Sequence, residues 1–277
     1  MLRVTVLGSG SRGNAILVDG DEGAVLVDAG FGPRMLAKRL LTAGRRPDQI
    51  SSVVLTHEHR DHACGAVQAC RRWNWTLRAS AATLAALRES PDGCDVATAS
   101  LDNESGNKFD GWQVAAIPVP HDARDCRALV FTSDRSGERL GIALDLGHVP
   151  TVLPASFERL DLLVVESNHD ERMLANGPYP RMLKQRIGGA LGHLSNGAAA
   201  GFIAACVHRG LRGVVLAHLS ETNNTPELAL ARSREALRRA GWRRESLWAA
   251  HQTVAIGPHG SVGPRDVFIP DQLSLGL

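Results

Sequence analysis

One short stretch of the chain concentrates side chains that bind metal ions. Three histidines and one aspartate fall within six residues, directly after the apolar run 53–55: His57, His59, Asp61 and His62. Imidazole and carboxylate groups suit zinc, manganese and iron. In an extended segment, residues two apart point the same way, so His57 and His59 can bind one ion. Asp61 and His62 can then address a second ion. Two ions about 3.5–4 Å apart form a hydrolytic centre for a phosphate or carbonyl group.

A polar loop that happens to be rich in histidine is the alternative interpretation of this stretch. For a single histidine that interpretation would be preferred. Four ligand-type residues in the order HxHxDH favour a metal site instead. The remaining ligands are then expected later in the chain.

The predicted elements around this stretch indicate how it is positioned. Helices are predicted at 33–43, 63–73, 81–88 and 196–208, and a further one is capped by Thr225 and ends at Ala240. Short apolar and alternating runs predict strands. They lie at 3–7, 15–18, 24–28, 52–55, 76–79, 112–119, 127–132, 140–144, 160–165 and 214–217, with a final strand pair at 247–250 and 253–256.

The order of these elements predicts the fold class. Strands precede helices in each half of the chain, and the strands fall into two clusters. Two sheets packed face to face with helices outside bury both clusters, which gives a four-layer αβ/βα sandwich of the α+β class. The strand 52–55 would deliver the histidine-rich stretch to one edge of the sandwich. A chain of 277 residues could form one large domain or two small ones.

The order HxHxDH after an apolar strand resembles the metallo-β-lactamase superfamily, and the predicted sandwich agrees with that superfamily's fold. The resemblance implies three later ligands: His121, Asp145 and His218, each of which follows a predicted strand. It assigns three histidines to the first ion, an aspartate and two histidines to the second, and one aspartate to both. The first set is His57, His59 and His121, the second set is Asp61, His62 and His218, and the shared ligand is Asp145.

Further strings narrow the resemblance to the YycJ/WalJ-type branch of that superfamily. Matching strings occur along essentially the whole chain. They are 8–14, 166–170, 177–180, 192–196 and 218–226. The branch contains metal-dependent hydrolases of a single domain, and exonuclease action on DNA is the activity associated with it. The resemblance thus implies one domain over residues 1–277. The resemblance therefore implies two divalent ions, zinc or manganese with iron as a further candidate, and DNA as the partner.

Candidates for catalysis and substrate binding come from the same strings. Glu166 and His193 resemble a pair in ribonuclease Z that is proposed to protonate the leaving oxygen. The alternative is that His193 caps the following helix or orients a ligand. Asp61 is the third catalytic candidate, because it could orient the attacking hydroxide as well as bind metal. The candidates for substrate contacts are Asn14, Asn168 and Ser195.

The predicted function is a dinuclear metal-dependent hydrolase. We expect a phosphodiesterase that acts on nucleic acid in the manner of a DNA exonuclease, with a metal-bridging hydroxide as the nucleophile. One alternative is a hydrolase of small cyclic phosphodiesters, esters or lactones, and another is a non-catalytic, metal-stabilised regulatory protein. The net charge of +2 permits a nucleic-acid substrate without demanding one. Arginines within 232–244 could bind phosphates or form a solvated helix face.

Composition indicates the compartment. The five cysteines are odd in number and form no CxxC pair, which favours a reducing environment. The sequence contains neither a signal-peptide pattern nor an apolar run of the ~20 residues that a membrane span needs. We therefore expect a cytoplasmic protein without a membrane partner, and the sequence leaves its oligomeric state open.

Overall fold

Two mixed β-sheets form the centre of the molecule. The computed structural model describes residues 1–21, 23–91, 93–102 and 106–260. The first sheet contains β1 (Arg3–Gly8), β2 (Ala15–Asp19), β3 (Ala24–Val27), β4 (Ile50–Val54), β5 (Thr76–Ala79), β6 (Thr98–Ser100) and β14 (Ile256–Gly260). The second sheet contains β7 (Asn107–Phe109), β8 (Trp112–Val119), β9 (Cys126–Ser133), β10 (Arg139–Ala143), β11 (Leu162–Glu166), β12 (Gly213–Ala217) and β13 (Leu247–Ala249). The strand orders are β14-β1-β2-β3-β4-β5-β6 and β13-β12-β11-β10-β9-β8-β7.

Helices cover the outer face of each sheet. The helices against the first sheet are α1 (Pro33–Thr42), α3 (Ala66–Trp73) and α4 (Ala81–Glu89). The helices against the second sheet are α5 (Leu153–Ser156), α8 (Asn196–Ala205) and α9 (Pro226–Arg239). The short helices α2 (Arg60–Ala63), α6 (Glu171–Asn176) and α7 (Arg181–Ile187) lie in the loops that follow strands.

Burial on both faces explains the apolar character of the strands. In β2, Ile16 and Val18 belong to the cluster between the sheets, whereas Leu17 belongs to the cluster under the helices. In β11, Val164 lies between the sheets and Leu163 packs toward the helices. Successive side chains of a strand point to opposite faces, so each strand supplies two hydrophobic layers. The predicted four-layer sandwich is confirmed.

Two local predictions differ from the structure. The segments 247–250 and 253–256 do not form a strand pair: β13 runs parallel to β12, whereas β14 pairs antiparallel with β1 in the other sheet. The predicted helix 63–73 is interrupted at Gly65, whose amide donates to the Ala29 carbonyl. A Cβ at Gly65 would collide with the Phe31 carbonyl oxygen, so the close approach of the two loops requires glycine here.

The start of α9 agrees with the predicted cap. The Thr225 side chain accepts a hydrogen bond from the Leu228 amide, and Pro226 occupies the first turn. Within the described ranges, the helices are all too short or too polar to cross a bilayer. The predicted single domain over 1–277 remains a prediction, and its last residues, 261–277, lie outside the described residues.

Candidate metal centre

The predicted ligands lie together at the carboxyl ends of strands from both sheets. The histidine-rich stretch follows β4, and the later residues follow β8, β10 and β12. Ligand-type atoms form overlapping groups in which all atoms lie within 4.8 Å of one another. Three of these groups are His57, His59 and His121; Asp61, His62 and His218; and His57, His62 and Asp145. The fold therefore brings the members of each predicted set together, with Asp145 beside His57 and His62.

In the first group, His121 comes from the second sheet, and a hydrogen bond orients its ring. His121 Nδ1 lies 3.0 Å from the Gly192 carbonyl oxygen, which only accepts, so Nδ1 carries the proton. His121 Nε2 is then the nitrogen that offers a lone pair, and it lies 3.3 Å from His59 Nδ1. His57 is fully buried, and its Nε2 has no hydrogen-bond partner among the described residues. Such atoms suit a metal ion, because they offer lone pairs in a place where water does not reach.

Buried carboxylates fix the second group. His62 Nδ1 lies 2.7 Å from Asp28 Oδ2, which leaves Nε2 to face the centre. His218 Nδ1 lies 3.1 Å from Asp145 Oδ1 and 3.2 Å from Glu166 Oε1. Asp61 Oδ2 is 3.5 Å from His62 Nε2 and 3.4 Å from His218 Nε2. The three potential ligand atoms thus converge on one point.

Asp145 lies between the two groups. Its Oδ2 is 2.7 Å from His62 Nε2, and its Oδ1 is 3.1 Å from His218 Nδ1. Two imidazole nitrogens of the cluster, His57 Nε2 and His218 Nε2, are buried without a hydrogen-bond partner among the described residues. Leaving several buried polar atoms unsatisfied is costly, and a bound cation compensates for that cost. The donor set of imidazole and carboxylate therefore fits divalent metal binding.

The opposite charges in the cluster stabilise each other's ionised forms. Burial favours neutral Asp145, but His218 and His62 lower the pKa of this carboxyl group well below its usual range. Burial also opposes charge on His62, whereas Asp145 and Asp28 raise its pKa well above the usual range. Burial likewise opposes ionisation of Asp61, whose pKa is nevertheless lowered by His218 and His62. The carboxylates thus remain anionic and available to cations.

Glu166 and His193 form a hydrogen-bonded pair at the side of the centre. His193 Nδ1 lies 2.6 Å from Glu166 Oε1, and Glu166 Oε2 accepts from the amides of Leu146 and Leu194. Burial opposes charge on His193, but Glu166 and Asp145 raise its pKa to about 11. The His193 side chain keeps 21% of its surface exposed, whereas Glu166 is fully buried. Their roles in proton transfer stay predictions.

The three predicted substrate-binding residues have structural partners. Asn14 is fully buried, and its Nδ2 lies 3.0 Å from His62 Nε2. Asn168 Nδ2 donates to the His218 carbonyl at 3.0 Å. Ser195 caps α8, where its Oγ accepts from the Ala198 amide. Asn14 and Asn168 therefore steady the loops that carry ligands, and a substrate contact by any of the three stays a prediction.

Asp28 is a site residue that the sequence patterns did not single out. It is fully buried, and its carboxylate accepts from the Thr56 amide as well as from His62. A sequence signal for it exists: Val27-Asp28-Ala29-Gly30 ends an apolar strand in the same way as Leu144-Asp145-Leu146-Gly147. Asp28, Asp145 and His218 share left-handed backbone angles, with φ of 59°, 54° and 51°. Strained residues of this kind concentrate at functional sites.

An open cavity leads to the cluster. Its volume is about 300 Å³, and its walls include His59, Asp61, His193 and His218. Arg186 of α7 also lines it and pairs with Asp122, with 2.7 Å between Nε and Oδ2. A substrate could therefore approach the ligand cluster past a guanidinium group, which suits an anion.

Comparison with known proteins identifies the family. A model of the metallo-β-lactamase superfamily matches residues 8–162. The chain belongs to the metallo-β-lactamase superfamily. It is 30% identical over 230 residues to an exodeoxyribonuclease WalJ of Streptococcus pneumoniae serotype 2 (strain D39 / NCTC 7466), covering 82% of this chain and 85% of that protein. It is 29% identical over 253 residues to an exodeoxyribonuclease YycJ of Bacillus anthracis, with coverages of 91% and 95%.

Solved structures of the superfamily share the fold. YhfI from Bacillus subtilis has a TM-score of 0.67 at 16% identity, covering 92% of this chain and 98% of its own. Zn²⁺-bound PqqB from Methylobacterium extorquens also has a TM-score of 0.67, at 18% identity, with coverages of 92% and 99%. The predicted metallo-β-lactamase fold and the YycJ/WalJ-type resemblance are confirmed.

Proposed function

We propose that the protein is a metal-dependent exodeoxyribonuclease that uses two divalent ions, zinc or manganese with iron as a further candidate. One observation carries the proposal: two groups of ligand-type side chains meet at Asp145 on the floor of an open cavity. The WalJ and YycJ relatives, named exodeoxyribonucleases, support DNA as the substrate. Two ions bound by this cluster would polarise a phosphoryl oxygen and lower the pKa of an attacking water.

The side chains around the cluster would supply the other parts of the reaction. Asp61 would orient the attacking water, because its carboxylate lies at the cavity wall beside His62 and His218. His193 would donate a proton to the leaving oxygen from the nitrogen that Glu166 does not hold. Arg186 would contact a phosphate of the DNA backbone at the cavity wall. The protein would thus bind, orient and protonate the substrate with residues from both sheets.

Degradation of end-labelled duplex DNA tests this function. We expect metal-dependent shortening by the unmodified protein with Mn²⁺ or Zn²⁺, and a loss of more than about 100-fold in Asp61→Ala, since even residues behind metal ligands affect such sites 10- to 100-fold. Asp134→Ala, which removes an exposed carboxylate from the turn between β9 and β10, is the matched control and should retain full activity.

Two results would contradict the proposal. The first is equal DNA shortening by the unmodified protein and Asp61→Ala, which would assign the activity to a contaminant. The second is the absence of shortening by metal-loaded protein that hydrolyses a small model phosphodiester, which would favour a small-molecule substrate.

A further inference from the structure

A second pocket adjoins the candidate metal centre. This side pocket has a volume of about 480 Å³, and it is bounded by residues 147–149, by His169, by residues 193–195 and by one face of α8. His193 lines both the side pocket and the cavity over the metal ligands. The two spaces are therefore neighbours that share the His193 side chain as a wall. The volume lies within the range of sites for small molecules.

The α8 wall of the side pocket is built from small residues. Ala198, Gly201 and Ala205 recur at a spacing that places them on one helix face, with Phe202 beside them. Among the described residues outside the adjoining turns of α8, no heavy atom lies within 4 Å of the position where a Cβ at Gly201 would be. Glycine inside a helix is unfavourable, and close packing does not require it at this position. The space above Gly201 is therefore open to a flat ligand.

An imidazole without a partner also points to a ligand. His169 lines the side pocket and is only 4% exposed, and its Nδ1 has no hydrogen-bond partner among the described residues. Burial lowers the pKa of His169, so the ring is neutral and offers both a donor and an acceptor. Across the pocket, His148 Nδ1 lies 3.0 Å from the Ala190 carbonyl oxygen, which leaves Nε2 of that ring for a ligand.

We propose that the side pocket holds the base of the nucleotide whose phosphate lies at the metal centre. A nucleobase is flat, has apolar faces and carries donors and acceptors on its edge, which matches small residues opposed by two histidines. The sugar of that nucleotide would pass His193, which lines both spaces. The position of the phosphate rests on the proposed function. The contact with the base is additional, and it would distinguish a nucleotide from a phosphodiester that lacks a base.

Calorimetric titration of metal-loaded protein tests the pocket directly. The probes are 2′-deoxyadenosine 5′-monophosphate and 2-deoxyribose 5-phosphate, which share sugar and phosphate but differ in the base. Stacking of a base in a protein site improves affinity by roughly 5- to 150-fold, so the nucleotide should bind that much more tightly. Gly201→Leu, which fills the pocket with a better helix former, should reduce the ratio of the two affinities toward one.

Two further variants complete the experiment. Ala198→Leu fills the same pocket from an exposed position, so the comparison stands even if Gly201→Leu folds poorly. Ala231→Leu adds the same bulk on the exposed face of α9 and should leave the affinity ratio unchanged. Equal affinity for the two probes, no measurable binding of the nucleotide, or a preference that neither pocket variant reduces would each overturn the inference.

The DNA-shortening assay separates failure of the pocket from failure of the proposed function. Unmodified protein that shortens DNA without preferring the nucleotide would refute the base pocket and leave the exonuclease proposal intact. Unmodified protein that prefers the nucleotide but leaves DNA uncut would refute the exonuclease proposal, and the side pocket would then be a nucleotide site of another reaction.

Discussion

Asp28 illustrates how a residue outside the proposed ligand set can control that set. Its Oδ2 lies 2.7 Å from His62 Nδ1, and its Oδ1 accepts hydrogen bonds from the Thr56 amide and hydroxyl. Since a carboxylate only accepts, His62 must hold its proton on Nδ1 and present Nε2 to the centre. An asparagine at position 28 would have a single acceptor oxygen. It could therefore accept from His62 Nδ1 or from Thr56, but not from both.

Asp28→Asn should therefore weaken metal binding while it preserves the fold. We expect metal affinity to fall by about 10- to 100-fold, the usual effect of removing a partner behind a metal-bound histidine. Competition with a fluorescent zinc chelator measures this change, and circular dichroism checks the fold. Asp134→Asn alters an exposed carboxylate and serves as the control. An affinity within about twofold of the unmodified protein would contradict the ligand-orienting role.

At the scale of elements, a buried amide network joins the end of β11 to the starts of α8 and α9. Asn224 Nδ2 lies 2.8 Å from the Ser167 carbonyl and 3.1 Å from the Asn168 carbonyl. Asn196 Nδ2 donates to Asn224 Oδ1 at 2.8 Å. The network holds the loop whose Asn168 side chain bonds the His218 carbonyl, so these element ends position a proposed ligand.

Asn224→Ala should destabilise the protein, because it leaves the buried Ser167 carbonyl without its side-chain donor and Asn196 Nδ2 without its acceptor. Each buried unsatisfied group costs about 1–3 kcal/mol, so we expect the free energy of unfolding to fall by about 2–4 kcal/mol. Urea unfolding followed by circular dichroism gives this value. Asn176→Ala, at the exposed end of α6, should change it by less than about 0.5 kcal/mol. A similar small change for Asn224→Ala would show that the network contributes little.

The sequence predicts some of these elements well and others poorly, for physical reasons. Apolar runs such as 214–217 form strands because both faces are buried, and the proposed ligand His218 directly follows this one. Short helices such as α6 and α7 were not predicted, since helices of this length depend on tertiary contacts rather than on propensity. The partner sheets of β13 and β14 depend on where the chain crosses between layers, which local patterns do not encode.

Within the site, contacts between residues that are distant in sequence could not be predicted from local patterns either. His57, His59, Asp61 and His62 are close in sequence, so their spacing alone predicts a shared function. Asp28 reaches His62 across 34 residues, and that contact requires the fold to be known. The side pocket depends equally on the fold, since His148, His169 and Gly201 come from three separate segments.

For the whole molecule, the candidate metal centre connects the two sheets. The histidine-rich stretch follows β4 of the first sheet, whereas the other proposed ligands follow β8, β10 and β12 of the second. Bound ions would therefore cross-link both halves of the sandwich at one edge. The same edge gathers buried nitrogens, His57 Nε2 and His218 Nε2, that have no partner in the described part of the chain and would gain ligand bonds in the metal-bound form.

Removal of metal should consequently lower the thermal stability of the whole protein. A ligand present at 100 times its Kd stabilises the folded state by about 2.7 kcal/mol. In a chain of this size, each kcal/mol corresponds to roughly 2–4 °C, so we expect chelation to lower Tm by about 5–10 °C. Calorimetric scans of metal-loaded and chelator-treated protein measure the shift, and added Zn²⁺ or Mn²⁺ should reverse it. Asp145→Asn should show a smaller shift, because it removes the carboxylate that lies beside both ligand groups. An identical Tm with and without chelator would refute the cross-link, since an ion that binds only the folded state must stabilise it.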